Sequence, residues 1–140
     1  MDSEIDPTIG QFPADYLNCK CAHLSAMGFR AQEIIANYLV DKQINYSYDI
    51  TQASLKIDWE SYTENFATKY SHLLLPSIEE IQGIYGKQPL LPLLKQLSKI
   101  GPQVVGIKMG HQGSIVYDKS KCRAYRIPIY GVDVMDPTGA

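Results

Sequence analysis

The chain has 140 residues, 45% of them hydrophobic and 20% charged, with a formal net charge of −2. That composition is globular and excludes intrinsic disorder, and an acidic balance without a basic block argues against a nucleic-acid partner. No stretch approaches the run of about 18 apolar residues that a membrane span needs, and the polar start Met1-Asp2-Ser3-Glu4 is unlike a secretory signal, so the expected compartment is the cytoplasm.

Residues 1–18 carry Pro7, Gly10 and Pro13 and read as a connecting segment ahead of a domain over 19–140. Residues 19–27 read as a strand. Residues 30–42 follow as a helix, with Ile34, Ile35, Tyr38 and Leu39 at helical spacing, and 44–50 as a second strand. The spacing of Trp59, Tyr62 and Phe66 predicts a helix over 58–69. A third strand covers 72–75, with a short helix at 78–85. Pro92 suits the start of a helix running to about Ile100, where Gly101-Pro102 stops it. A fourth strand is 104–108, and 114–130 reads as a β-hairpin turning at Asp118 to Lys121.

Strands and helices in alternation imply an α/β fold, a mostly parallel sheet with helices on both faces. Ligands of such sheets bind at the carboxyl ends of the strands. Those ends are Ser25 to Gly28, Asp49 to Thr51, Pro76 to Glu80 and Lys108 to Gly113. Cys19 and Cys21, two apart in a strand-like stretch, should share one face. With Cys122 and scattered His23, His72 and His111 they give no zinc spacing, and they read as buried structural thiols. Tyr38, Tyr46, Tyr48, Tyr62 and Tyr85 fall at positions suited to core packing.

Taken singly, the rim motifs have ordinary readings. Gly110-His111-Gln112-Gly113 is a tight turn with His111 facing solvent, Ser77-Ile78-Glu79-Glu80 fits a capping box, and Asp49 fits a turn after a strand. The last residues, Val134-Met135-Asp136-Pro137-Thr138-Gly139-Ala140, run from an apolar stretch into small residues. That is the start of a turn whose bare N–H groups favour an anion.

Their order makes the combination specific. Asp136-Pro137-Thr138-Gly139-Ala140 matches the first five positions of Asp-x-Thr-Gly-Ala-Gly-Asp, Val105 to Gly113 is similar to a nucleotide-binding strand and turn, and Leu75-Pro76-Ser77-Ile78-Glu79-Glu80 is similar to Pro-Asn-x-x-Glu. From about Cys19 onward the chain resembles the ribokinase, or PfkB, family of carbohydrate kinases. The resemblance implies a ribokinase-like three-layer α/β/α fold, incomplete here for want of the lid and the N-terminal part. It implies ATP and Mg2+ as cofactors and a small sugar as substrate, and it leaves a homodimer open. Gly139 and Ala140 would begin the anion hole, while Ser77, Lys108, Gly110, Gly113, Asp136 and Thr138 would serve the nucleotide. Glu80 would hold magnesium through water.

Three departures qualify that implication. The family's general base, two positions beyond Ala140, is not in the chain, so the fragment alone is expected to be inactive. Ser77 stands in place of asparagine. Thr51 and Ala53 stand where many members carry Asn and Arg. A non-catalytic nucleotide-binding or interaction module is therefore the alternative from another class, and a nucleoside or vitamin kinase the alternative within the family. A dinucleotide-binding domain fails, because no Gly-x-Gly-x-x-Gly follows the first strand.

Overall fold

A computed structural model of the chain describes residues 6–25, 27–49 and 65–131. These form a mixed α/β unit around a six-stranded sheet in the order β1-β2-β3-β4-β5-β6. The strands are β1 (Cys21–Leu24), β2 (Asn45–Tyr48), β3 (Leu73–Leu74), β4 (Val104–Lys108), β5 (Ser114–Asp118) and β6 (Arg123–Ile127). The first four pair in parallel and the last two add on antiparallel. The mostly parallel sheet and the closing hairpin are those expected from the sequence.

Among the described residues four helices cross between strands: α1 (Phe29–Asp41), α2 (Phe66–Tyr70), α3 (Ile78–Tyr85) and α4 (Leu90–Ile100). Pro92 lies in the first turn of α4, where its missing N–H costs nothing. The core is a single cluster. Leu24, Tyr46, Tyr48, Leu74, Val105, Ile107 and Tyr117 come from the sheet, and Ile35, Ala36, Leu39, Ile81, Leu93, Leu94 and Leu97 from the helices. In register, Leu24, Tyr48, Leu74, Val105 and Tyr117 form one cross-sheet row, so the buried set is one face of the pleat. Each fully buried Leu or Ile there contributes about 1.5–3 kcal/mol of transfer free energy.

The opposite face, with Cys21, His23, Asn45, Ser47, Leu73 and Val104, is exposed or half-buried. Among the described residues the helices that build the core pack against the buried face. The strand order gives the reason. Right-handed crossovers that always step the same way along a sheet keep their helices on one side.

Several boundaries also differ. Residues Ala14–Asn18 form a 3-10 helix, which holds Cys19 outside the sheet and shortens the 19–27 strand to β1. Of the helix expected over 58–69 the described part is Phe66–Tyr70, capped by Asn65, whose side chain accepts from the Thr68 N–H; residues 58–64, with Trp59 and Tyr62, lie outside the described residues. Cys19, Cys21 and Cys122 are all free and exposed, which overturns the expectation of buried thiols. Tyr46 and Tyr48 are fully buried, and burial, its largest cause, drives both hydroxyls well above the ordinary tyrosine value. No described helix is long and apolar enough to cross a membrane.

Several polar residues are buried with this core, and one of them joins three parts of the fold. Gln32 of α1 is completely buried. Its Nε2 donates to Ser25 O at 2.9 Å and Asp49 O at 3.1 Å, and its Oε1 accepts from the Tyr48 hydroxyl at 3.1 Å. Three groups lose their partner if this amide is removed, and each buried orphan costs about 1–3 kcal/mol. Gln32→Ala should therefore lower unfolding free energy by about 3 kcal/mol or more in urea titrations. A loss below about 1 kcal/mol would show that these hydrogen bonds are replaced by water.

Candidate functional site

The parallel strands all end on one side, and the chemistry gathers there. β3 runs out at Leu74 and continues through Pro76 into α3, with Leu75 N donating to Tyr48 O at 2.9 Å and Lys108 N to Pro76 O at 2.9 Å. Ser77 and Lys108 form a further parallel bridge. The end of β4 is thereby fastened to the start of α3.

α3 begins with a capping box. Ser77 Oγ accepts from the Glu80 N–H at 3.2 Å, and Glu80 Oε2 accepts from the Ser77 N–H at 2.7 Å. This arrangement is worth about 0.5–2 kcal/mol to the helix. The Ser77 hydroxyl still has its proton to donate. Glu80 is buried with one carboxylate oxygen committed to the cap. Among the described residues no group of three or more His, Cys, Asp and Glu side chains could hold a metal ion.

After β4, Gly110–Gln112 make a 3-10 turn closed by Gly113 N to Gly110 O at 2.9 Å and Met109 N to Gly113 O at 2.8 Å. Gly110 has φ +54° and Gly113 φ +81°. A Cβ on Gly113 would lie 2.1 Å from Ile127 O, while one on Gly110 would meet nothing within 4 Å. Gly113 is needed because the end of β6 packs directly on it. His111 is exposed.

Ser77, Lys108, Gly110 and Gly113 line one cavity of about 500 Å³, together with Glu79, Ser114, Ile127, Pro128 and Ile129. Four of the residues singled out in the sequence thus meet at one place, with Glu80 behind Ser77. Asp136, Thr138, Gly139 and Ala140 lie outside the described residues. Sequence reasoning missed the apolar wall of Ile127, Pro128 and Ile129, because nothing in a hairpin's own pattern says which loop its end will face. Asp49, placed on the rim by the sequence and read there as a turn residue, pairs its carboxylate with the Lys108 ammonium. A second cavity of similar volume lies under the N-terminal segment, lined by Phe12, Leu24, Ile35 and Leu39 among others. It shares no residue with the first, and its walls are mainly apolar.

Residues 40–140 match the pfkB family of carbohydrate kinases. The cytidine kinase of Thermococcus kodakarensis is 25% identical over 127 residues, which are 91% of this chain and 45% of that protein. Arabidopsis thaliana ribokinase, solved with ribose and ATP, shares the fold with a TM-score of 0.72 at 16% identity, over 91% of this chain and 42% of its own. Aminoimidazole riboside kinase from Salmonella enterica, with its riboside and an ATP analogue, gives 0.63 at 18% identity, over 78% and 37%. The chain spans less than half the length of each of these proteins.

The two glycines of the turn make different demands. Gly113→Ala should cost about 1–3 kcal/mol through strain and the clash with Ile127 O, and Gly110→Ala about 1–2 kcal/mol for its left-handed backbone alone. Thermal unfolding of the two variants should place Gly113→Ala lower; the reverse order would mean that β6 does not rest on the turn.

Proposed function

This chain belongs to the pfkB family of carbohydrate kinases, and we propose that it is the nucleotide-side portion of an enzyme transferring the γ-phosphoryl group of ATP to a sugar hydroxyl. The observation that carries this reading is the cavity on which Ser77, Lys108, Gly110 and Gly113 converge at the carboxyl ends of β3 and β4. Phosphoryl transfer asks a protein for position and positive charge more than for covalent chemistry. Lys108 supplies the charge. The Gly110–Gly113 turn brings backbone close to the nucleotide, and the Ser77 hydroxyl offers a donor to a phosphate oxygen.

In the same reading Thr138 and Asp136 serve the phosphate end of the site, and the N–H groups at Gly139 and Ala140 start the hole for the transferring oxygens. Mg2+ bound to the phosphates would neutralise charge there, with Glu80 holding it through water. The activity is proposed for the polypeptide at its full natural length. A nucleoside acceptor is the second reading, favoured by the sequence similarity to a cytidine kinase.

The test is ATP turnover with Mg2+ across a panel of free sugars and nucleosides, followed by phosphorus NMR of the product. A phosphorylated sugar supports the first reading and a nucleoside monophosphate the second. ATP binding without turnover on any acceptor would leave only a nucleotide-binding module. Lys108→Met removes one charge-assisted contact, about 1.5–3 kcal/mol, and should lower kcat/KM by about 10- to 100-fold. Unchanged kinetics in that variant would move the phosphates away from β4.

A further inference from the structure

The proposed chemistry gives Asp49 no part, yet it is held on the rim by several hydrogen bonds. Its Oδ2 meets Lys108 Nζ, a partner 59 residues away in the chain. Its own backbone is held at both ends: Asp49 N donates to Leu24 O at 2.9 Å, and Asp49 O accepts from Gln32 Nε2 at 3.1 Å. Gln32 is fixed in turn by Ser25 O and the Tyr48 hydroxyl. Asp49 therefore follows β2 with its backbone tied by hydrogen bonds to β1 and α1.

The two partners differ in freedom. The Lys108 side chain is 47% exposed and that of Asp49 21%. A half-exposed lysine samples many rotamers and must lose them whenever it engages an anion. A pair this open adds little to fold stability, because water screens it. Its consequence is geometric: a carboxylate on a backbone hydrogen-bonded at both ends selects one place for an ammonium with more freedom.

We propose that Asp49 is a positioning residue that holds the Lys108 ammonium at the cavity for the phosphoryl group, with Gln32 bracing Asp49 from behind. The inference rests on reading the cavity as the phosphoryl-transfer site. Pre-ordering of this kind contributes only through Lys108, so the effect of losing Asp49 must depend on Lys108 being present.

A double-mutant cycle in the full-length protein tests this, with ATP and its best acceptor. Wild type, Asp49→Asn, Lys108→Met and the double variant are compared by kcat, KM and melting temperature. Asp49→Asn should lower kcat/KM by about tenfold in the Lys108 background and by less than about twofold in the Lys108→Met background. Asp49→Glu, which keeps the charge, should recover part of the loss. Equal losses in both backgrounds, or no loss in Asp49→Asn, would overturn the positioning role while leaving the kinase reading intact. A wild-type protein that neither binds nor turns over ATP would overturn both, and that measurement comes first.

Discussion

The rim depends on a strand of two residues. β3 contributes only Leu73 and Leu74 to the sheet, but its flanks carry the ladder further than its length suggests. His72 N donates to Tyr46 O at 2.9 Å and Leu75 N to Tyr48 O at 2.9 Å on one side, while His72 O accepts from Val104 N at 3.0 Å on the other. Beyond the strand proper, Pro76 O takes Lys108 N. Parallel pairing is slanted and slightly weaker per residue than antiparallel, so a strand this short is held by burial as much as by bonds, with Leu74 completely enclosed. Because β3 stands between β2 and β4, it sets both the distance and the register from which Asp49 and Lys108 meet.

That meeting explains what could be read from the sequence and what could not. The capping box at Ser77 and Glu80 is a local arrangement, four residues long, and its spacing alone predicts it. The fourth strand, its glycine turn and the hairpin are likewise governed by neighbours in sequence. The Asp49–Lys108 pair spans 59 residues and depends on strand order, which no periodicity encodes. Gln32 shows the same limit. It lies among apolar residues on α1, and only the placement of Tyr48, Ser25 and Asp49 around it gives an amide there a purpose. The thiols failed for another reason: a 3-10 turn displaced Cys19, and Cys21 took the exposed phase of β1.

One face of the sheet carries the core and the other does not, and the site lies on the second. Strand alternation puts Ser47, Asp49, Gly106 and Lys108 on the face away from Tyr48 and Leu74. The division has a physical logic. The buried face demands apolar volume and satisfied polar groups, so it can hold a glutamine only where every hydrogen bond is met. The opposite face tolerates charge, which is where an ammonium and a carboxylate can pair without the full penalty of removing both from water.

Gln32 couples the two faces. Its side chain belongs to the core, but the carbonyl it holds belongs to Asp49, whose side chain points the other way. A leucine of similar volume would fill the space and bury more apolar surface, yet it would leave Ser25 O, Asp49 O and the Tyr48 hydroxyl without this partner. Burial has already raised the Tyr48 hydroxyl far above its ordinary value, so that group remains a neutral donor and needs an acceptor. The amide meets all three needs at once, with two donors and an acceptor in one plane. The core thus reaches the rim through a hydrogen-bonded network, and the strand end it fixes carries the carboxylate that fixes the lysine.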